Sequence, residues 1–440
     1  MAETIYDALI IGGGPGGSTA AAFLARAGRR VLVLEKEHFP RFHVGESLLP
    51  YNRQVFAEMG VLPKLEAAGL IKKQGAQFYL GNGSKALQLV FRNGRFTREA
   101  EAFQVERDAF DHLLLQHARS TGAEVREGWT VTNFSSDADG VTIRAVGDKG
   151  GAASFRGSFL IDASGRGNLT GNQEGLREIH PRLKKLAVFG HFANVTRDAG
   201  ERGGDTIIIR LENQWFWIIP LSAEKTSVGC VMDKEEFAQA KEPAEAVFTR
   251  ICESSSVLRE RMRQARLLGT LRTTSDFSYR NRRFVGQRLM RVGDAAGLMD
   301  PIFSAGVHLA CYSAKLAAGV VIDSLRAGDD GSRRLRRYEK RVYRAMQFYW
   351  KLVEGFYTTS FMELFMQPRD KFNLPAEVTA LLAGELEGGW KMRWRMLVFF
   401  GLIRLHSRWR LVPQISYDAL LSGQSEPETA MVVTSDSERA

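Results

Sequence analysis

Three glycines near the N-terminus, Gly12, Gly14 and Gly17, have the spacing GxGxxG between an apolar segment and an alanine-rich one. In this arrangement the first glycine makes the turn, the second lets the backbone approach a pyrophosphate, and the third allows close helix packing. Glu35, 23 positions after Gly12, ends the next apolar segment and can accept a hydrogen bond from a ribose hydroxyl. The pattern predicts a strand, turn, helix and strand that bind a dinucleotide.

A further acidic residue, Asp294, stands in the segment GDAAGLMDP between a strand-like run and an apolar helix. The N-terminus of that helix can face a phosphate or the edge of a flavin ring, because its N–H groups and dipole favour negative charge. Aspartate is also common as a plain helix cap. Asp294 by itself therefore does not distinguish a nucleotide site from a structural cap.

The chain that must position these residues alternates between two kinds of structure. Short apolar strands alternate with helices around the glycine motif and Asp294, whereas DTIIIRL and QWFWIIPL are strand-like segments between polar turns. We predict an α/β fold in which a Rossmann-like dinucleotide-binding domain is interleaved with an antiparallel β-sheet substrate domain, followed by a C-terminal helical region. The predicted boundaries are 1–75, 104–180 and 276–330 for the first domain, 76–103 and 181–275 for the sheet, 331–424 for the helices and 425–440 for a disordered tail.

Composition limits the partners and the cellular setting. The formal charge of +10 favours a nucleic-acid, membrane or acidic-protein partner without choosing among them. Cys230, Cys252 and Cys311 form no CxxC pair and are odd in number, so neither a disulfide framework nor a metal cluster is indicated. The N-terminus lacks a signal-peptide pattern, and no apolar run reaches the ~20 residues of a spanning helix. We expect a cytoplasmic protein without a bound metal.

Four segments together resemble the flavoprotein monooxygenases of the p-hydroxybenzoate hydroxylase type: GGGPGGSTAA, RFHVGESLLP, FLIDASGRG and GDAAGLMDPIFSAGVHLA. The resemblance covers residues 7–325 and implies a non-covalently bound FAD. It implies that Arg107 contacts the dinucleotide and that Asp294 contacts the ribityl-pyrophosphate portion. The residues that it places along the isoalloxazine are Arg41, Gly45, Glu46 and Ser47. A second GxGxxG with a strand-end acid is not visible, so we expect a separate flavin reductase to supply reduced flavin.

Two further motifs resemble those of flavin-dependent halogenases. WFWIIP, residues 215–220, matches the WxWxIP motif of that family, although aromatic residues also simply pack many strands. GLIKKQGAQF resembles the segment that carries the reactive lysine, which corresponds to Lys73, two residues before Gly75. Lys72 is the neighbouring alternative, and most lysines are solvated surface charges. The resemblance implies that Lys73, Trp215 and Trp217 are catalytic residues.

The segment PIFSAG resembles the halide loop of the same family, where backbone amides bind the halide close to the flavin. It implies halide binding by Ser304, Ala305 and Gly306, whose small side chains let an anion approach N–H groups and the positive end of a helix. Tryptophan halogenases have a glutamate where this chain has Phe303. The resemblance therefore favours phenolic, pyrrolic or carrier-bound substrates over free tryptophan, and it leaves the general base unidentified.

The family chemistry would proceed from reduced FAD, oxygen and chloride or bromide to an oxidised halogen that passes to Lys73. The lysine would hold hypohalous acid by hydrogen bonding or become a haloamine, and electrophilic substitution on a small aromatic substrate would follow. Trp215 and Trp217 would keep the organic substrate away from the flavin and so suppress direct hydroxylation.

The segment from Lys391 to Arg410 interleaves arginines with aromatic residues and predicts a helix with one apolar and one cationic face. A core helix with a solvated side explains this pattern most simply. Docking of an acidic acyl or peptidyl carrier protein ranks above a peripheral membrane contact, because Phe303 already favours tethered substrates. Nucleic-acid binding is not expected, since no recognised module accompanies the charge.

Two other functions remain compatible with the motifs. The first is a non-halogenating FAD-dependent monooxygenase or a geranylgeranyl-reductase-like oxidoreductase, which would keep the glycine motif and Asp294. The second is a non-catalytic flavin-binding accessory protein that contacts a partner through the basic C-terminal region.

Overall fold

The computed structural model describes residues 5–94, 97–275, 278–367, 378–380, 382–386, 389–418 and 428–432. The strands, in chain order, are β1 Ile5–Ile11, β2 Val31–Glu35, β3 Ile71–Lys73, β4 Gly75–Leu80, β5 Lys85–Val90, β6 Ala102–Gln104, β7 Glu124–Glu127, β8 Trp129–Ser136, β9 Val141–Gly147, β10 Ala152–Asp162, β11 Arg177–Ile179, β12 Lys185–Ala193, β13 Thr206–Arg210, β14 Trp215–Pro220, β15 Thr226–Asp233, β16 Arg266–Ser275, β17 Tyr279–Asn281, β18 Val285–Gly286, β19 Leu289–Arg291, β20 Gly297–Leu298 and β21 Glu428–Val432.

The helices connect and cover these strands. In chain order they are α1 Pro15–Arg26, α2 Asn52–Met59, α3 Leu62–Ala67, α4 Arg107–Ser120, α5 Leu169–Gln173, α6 Lys234–Ala240, α7 Ala244–Ser254, α8 Ser256–Met262, α9 Ala305–Ala327, α10 Ser332–Phe356, α11 Thr359–Phe365 and α12 Gly389–Trp409.

The first sheet has a parallel centre in the order β19-β10-β1-β2-β7, extended by β18 and by the antiparallel strands β8 and β9. Residues 8–11, 31–34 and 159–161 of its central strands are apolar and buried because both faces of the sheet are covered there. Alternate residues of β1 belong to different cores: Ile10 faces the main cluster with α1 and α9, whereas Leu9 and Ile11 belong to the cluster on the opposite face. The carboxyl ends of β1, β2 and β10 lie at one edge of the sheet, where α/β proteins bind their ligands.

The second sheet has the order β16-β12-β15-β14-β13-β4-β5-β21. Most of its neighbours are antiparallel, as expected, but β13 pairs with β4 and β5 pairs with β21 in parallel. The chain enters this sheet after β2, returns to the first sheet at β7, re-enters at β12 and returns at β18. The predicted fold class, two interleaved sheets with C-terminal helices, is therefore confirmed.

Two local predictions differ from the structure. The segment 181–275, predicted as sheet, also contains α6, α7 and α8. Their apolar residues, such as Val247, Phe248 and Ile251, pack against the far side of the second sheet, because that face must also be covered. In the predicted disordered tail, residues 428–432 form β21, which supplies backbone partners to the edge strand β5. The rest of that predicted tail, residues 425–427 and 433–440, lies outside the described residues.

The expectation that no apolar segment reaches the length of a spanning helix is wrong for helix α9, which has the length and composition to cross a membrane, although its most apolar window is 61% buried inside the protein. It packs against α1 and α10 and carries buried residues on several sides, including Leu309, Ala314 and Val321. We therefore assign it as a core helix. The C-terminal helical region is present as α10, α11 and α12.

Candidate functional site

A cavity of about 800 Å³ lies between the carboxyl edge of the first sheet and the inner face of the second. Most of the site residues predicted from the sequence line it: Gly12, Gly14, Glu35, Arg41, Gly45, Glu46, Ser47, Arg107, Trp215, Trp217, Asp294, Ser304 and Gly306. The other three, Gly17, Lys73 and Ala305, are buried beside residues of that lining. The two sheets thus bring together residues that are far apart in sequence.

The glycine turn has no room for side chains. Gly12 has φ +95°, and a Cβ there would lie 2.4 Å from the Ala163 carbonyl oxygen. A Cβ on Gly17 would lie 1.9 Å from the Gly12 oxygen, so α1 can approach the turn only because position 17 is glycine. Gly14 is the N-cap of α1, and Pro15 begins the helix. The helix N-terminus therefore presents its N–H groups to the cavity, which suits a pyrophosphate.

Glu35, only 4% exposed, occupies the end of β2. Its Oε2 accepts from the backbone N–H of Gly13 at 2.6 Å, and its Oε1 accepts from Glu37 at 2.9 Å. The carboxylate therefore fixes the glycine turn, in addition to the predicted contact with a ribose. Each oxygen has a second lone pair for a ligand hydroxyl.

A buried ionic cluster holds the segment that the resemblance places along the isoalloxazine. Arg107 donates to both oxygens of Asp111, at 2.7 and 2.9 Å, and to the carbonyls of Val44 and Gly45. Arg41 donates to the same Asp111 at 2.8 Å. These two guanidinium groups hold the pKa of the Asp111 carboxyl below its usual range despite burial. Because most donors of Arg107 already have protein acceptors, it fixes the cavity wall as well as lining it.

Asp294 follows β19 in a short turn and projects at the cavity wall. Burial raises its pKa to about 6, and the charges of Arg107 and Arg166 offset part of that effect. A carboxylate in this setting gains from accepting ligand hydroxyls. The glycine cradle, the N-terminus of α1, Glu35 and Asp294 together fit FAD: the first two suit its pyrophosphate, and the two acids suit its hydroxyl groups.

We expect Glu35→Lys to weaken FAD binding by at least about tenfold, because it replaces an acceptor with a cation beside a helix N-terminus and leaves the Gly13 N–H without its partner. Glu58→Lys, which changes an exposed acid that pairs with Lys315, is the matched control. Titration of the refolded apoprotein with FAD measures both affinities. Equal affinity of Glu35→Lys and the parent protein would show that Glu35 is only a strand-end acid.

The motif WFWIIP forms β14, and the alternation of a strand divides its side chains between two faces. Trp215, Trp217 and Ile219 line the cavity, whereas Phe216 and Ile218 pack into the second core. The two indole rings lie 5.8 Å apart. Trp217 lies opposite Gly229 on β15, where any Cβ would clash with its ring. The motif therefore builds an aromatic wall as well as packing the sheet.

A hydrogen-bonded chain joins this aromatic wall to the predicted halide loop. Trp215 Nε1 donates to the Tyr357 hydroxyl at 2.8 Å, and that hydroxyl donates to Asp300 Oδ2 at 2.6 Å. Asp300 also accepts from the backbone N–H of Ile302, and burial raises the pKa of its carboxyl to about 6. Sequence reasoning missed Tyr357 and Asp300. The Asp-Pro pair at the start of the loop was the available signal, because aspartate commonly caps such turns.

The PIFSAG segment contains a left-handed residue, Ser304 with φ +55°, directly before α9. The first N–H groups of α9, at Ala305 and Gly306, therefore start a 23-residue helix at the cavity. Such a helix start suits an anion, as the sequence predicts for a halide. Phe303 points into a different environment, edge-on to Phe356 at 6.0 Å, and is 5% exposed.

Lys73 ends β3 and is 2% exposed. Its Nζ donates to Ser47 Oγ at 2.9 Å and to the Leu48 carbonyl at 3.2 Å. Burial lowers the pKa of this amine to about 7, and the charge of Asp205 offsets part of that effect. In contrast, the side chain of Lys72 is 61% exposed and pairs with Glu101. Of the two adjacent lysines, Lys73 is therefore the one buried beside the lining of the cavity, and its role as the reactive lysine stays a prediction.

Other polar residues of the site were missed or only partly recognised from the sequence. Thr206 lines the cavity beside Ser47, and the charge of Asp205 raises the pKa of the Lys73 amine. Glu46, which the resemblance places near the flavin, accepts a hydrogen bond from His191 Nε2 at 2.6 Å. The sequence indicates a buried Asp205 only weakly, because this residue directly precedes the apolar strand TIIIR.

Comparisons with known proteins agree with this geometry. A family described as FAD binding domain matches residues 5–354. The 1H-pyrrole-2-carbonyl peptidyl-carrier-protein chlorinase of Pseudomonas fluorescens is 30% identical over 88% of this chain and 91% of its own. The tryptophan 2-halogenase of Chondromyces crocatus is 33% identical over 78% of this chain and 66% of its own. A solved structure of a triple mutant of the flavin-dependent brominase Bmp2 matches with a TM-score of 0.81 and 30% identity, over 92% of this chain and 100% of that one.

Proposed function

Because the chain belongs to the family of FAD-dependent halogenases, we propose that it halogenates a phenolic or pyrrolic ring that reaches the site on a carrier protein. The observation that carries this proposal is the position of Lys73. Its buried amine is linked through one hydroxyl, that of Ser47, to a cavity that fits FAD and that Trp215 and Trp217 line.

FAD, when bound and reduced, supplies the oxygen activation that oxidises the halide. The residues of the chain bind, orient and separate the reactants. The start of α9 at Ser304 to Gly306 holds the halide by its N–H groups, and the aromatic wall of Trp215 and Trp217 keeps the organic ring from the flavin. The Lys73 amine receives the oxidised halogen, either by hydrogen-bonding hypohalous acid or by forming a haloamine with release of water. With a pKa of about 7, its amine is present both as a hydrogen-bond donor and as a nucleophile near neutral pH.

The substrate class follows from the surroundings of the halide loop. Phe303 packs against Phe356, which in turn contacts Trp215 edge-on at 6.4 Å. Aromatic side chains form this corner, and the chlorinase of Pseudomonas fluorescens acts, by its name, on a pyrrole held on a peptidyl carrier protein. We infer an uncharged, electron-rich ring on a tether.

The proposed partners are an acidic carrier protein and a separate flavin reductase. Helix α12 exposes large apolar residues on the same side as basic ones, namely Trp390, Trp394, Leu397, Leu405 and Trp409 beside Arg404 and Arg408. Aromatic residues and arginine are enriched in protein interfaces, and positive charge favours an acidic partner. This surface supports carrier docking.

The test is mass spectrometry of a panel of phenols, pyrroles and tryptophan, each free and, where possible, carrier-linked. The reactions contain the enzyme, a flavin reductase, FAD, NADH, oxygen and bromide. We expect a bromine isotope doublet on a carrier-linked phenol or pyrrole, with at least about tenfold less product from the free ring. Added salt should slow the carrier-linked reaction more than the free one, because it screens the docking charges.

Bromination of free tryptophan alone would overturn the substrate assignment, and the tryptophan 2-halogenase among the relatives makes it a necessary member of the panel. Hydroxylated product without bromine would favour a non-halogenating monooxygenase. Absence of turnover in every redox assay would favour an accessory flavoprotein. Omission of the reductase tests the second partner, since sustained turnover without it would show that the chain reduces its own flavin.

A further inference from the structure

We propose that Thr206, acting with Ser47, is a positioning residue that holds the amine of Lys73 and links it to the FAD cavity. This inference rests on the proposed function, because it deepens the role of Lys73 in halogen transfer. Thr206 is 3% exposed and starts β13, far in sequence from both of its partners.

The contact geometry is a chain of four polar groups. Lys73 Nζ donates to Ser47 Oγ at 2.9 Å, and Ser47 Oγ lies 2.8 Å from Thr206 Oγ1. Gln104 Nε2 donates to Thr206 Oγ1 at 2.9 Å and to the Gly204 carbonyl at 3.0 Å. Ser47 and Thr206 both line the cavity. The two hydroxyls therefore stand between the amine and the space where the halogen is oxidised.

The donors and lone pairs of the Ser47 and Thr206 hydroxyls determine which hydrogen bonds the two groups can still make to a ligand in the cavity. A hydroxyl has one O–H donor and two acceptor lone pairs. Ser47 accepts from Lys73 and Thr206 accepts from Gln104, so the bond between the two hydroxyls uses one further O–H and one further lone pair. One O–H and one lone pair remain, whichever hydroxyl is the donor. The pair can therefore hydrogen-bond an incoming hypohalous acid while it orients the lysine amine.

The residue before Thr206 holds the same lysine from its backbone side. Asp205 accepts from the backbone N–H groups of Gln74 and Gly75, which directly follow Lys73, and from the side chain of Gln88. Among the described residues, Asp205 is also the charged group that raises the pKa of the Lys73 amine. The other neighbours of this amine are the Ser47 hydroxyl, the Leu48 carbonyl and the Phe91 ring. The start of β13 thus fixes both ends of the lysine. Asp205 remains unchanged in the variants below.

The test compares Thr206→Val with Thr206→Ser. Valine keeps the branched shape without the hydroxyl, whereas serine restores the hydroxyl. We expect Thr206→Val to lower the halogenated product formed per reduced FAD oxidised by about tenfold, with peroxide released instead, and Thr206→Ser to stay within about twofold of the parent. Thr226→Val removes another buried hydroxyl, which accepts from Arg197, and is the matched control with unchanged coupling.

A double variant separates a shared role from two independent ones. Ser47→Ala combined with Thr206→Val should lose no more coupling than Ser47→Ala alone, because the two hydroxyls act in one chain. Additive losses, or a Thr206→Val variant that couples as well as the parent, would overturn the inference while leaving the halogenase function intact.

A second measurement needs no aromatic substrate. Lysine labelled with carbon-13 at Cε allows NMR titration of Lys73, with Lys73→Met as the assignment reference. We expect Thr206→Val to lower the Lys73 pKa by about half a unit or more, because Ser47 loses the partner that orients it toward the ammonium, and Thr206→Ser to restore the parent value. If the parent protein halogenates nothing in the panel, the proposed function fails, and this titration alone decides the inference: an unmoved pKa overturns it.

Discussion

Replacing Lys73 with methionine is expected to abolish the halogenated product while FAD stays bound. Methionine has similar length but cannot donate to Ser47 and Leu48, and its thioether consumes oxidised halogen as the sulfoxide instead of holding it as a haloamine. We expect product formation to fall by about a thousandfold or more. Oxygen consumption and peroxide release should persist, because the residues that hold FAD are elsewhere. The measurement is product by mass spectrometry beside oxygen uptake and peroxide yield.

Lys72→Met is the matched control, since Lys72 lies next in sequence but is exposed and pairs with Glu101. It should keep most of the activity. If Lys72→Met stops halogenation and Lys73→Met does not, the reactive lysine is assigned one position too late. If neither change matters, the chemistry does not pass through a lysine of this segment.

Gly17→Ala is expected to have the second large effect, the loss of FAD. The added Cβ would lie 1.9 Å from the Gly12 oxygen and 3.0 Å from its carbonyl carbon, so α1 must move away from the turn. The variant relieves this clash by opening the turn, and FAD binding must then close the turn again at a cost of about 3 kcal/mol or more. This cost corresponds to about a hundredfold weaker FAD binding. Purified Gly17→Ala protein should be nearly colourless, with a thermal midpoint that added FAD barely raises.

Gly319→Ala provides the control within α9. A Cβ there has no atom within 4 Å beyond its own helix, and alanine in a helix interior is favoured over glycine by about 0.5–1 kcal/mol. This variant should be yellow and at least as stable as the parent. A yellow Gly17→Ala protein with parental affinity for FAD would show that the turn adjusts without cost.

Local backbone geometry explains why part of the site could be predicted from the sequence. GxGxxG followed by Glu35 specifies a tight turn, a helix start and a strand-end acid within one βαβ unit, and the structure contains all three. Likewise, the period of two in WFWIIP puts Trp215 and Trp217 on the same face of any strand that it forms. These features depend only on residues that are close together in the sequence.

The partners of Lys73 could not be predicted in this way. Ser47 is 26 positions away from it, and Ser47 and Thr206 are 159 positions apart, so their contact exists only because distant segments of the chain pack together. The same holds for Trp215 with Tyr357, and for β21 at the edge of β5. Local patterns also could not show that Lys73 is buried and Lys72 exposed, since the two residues are adjacent and identical in type. The sequence by itself determined the nucleotide cradle and the aromatic strand, because short-range geometry suffices for both. The tertiary structure alone decided which lysine is buried beside the cavity and which hydroxyls lie next to it, because burial and hydrogen bonding between distant segments depend on how those segments pack.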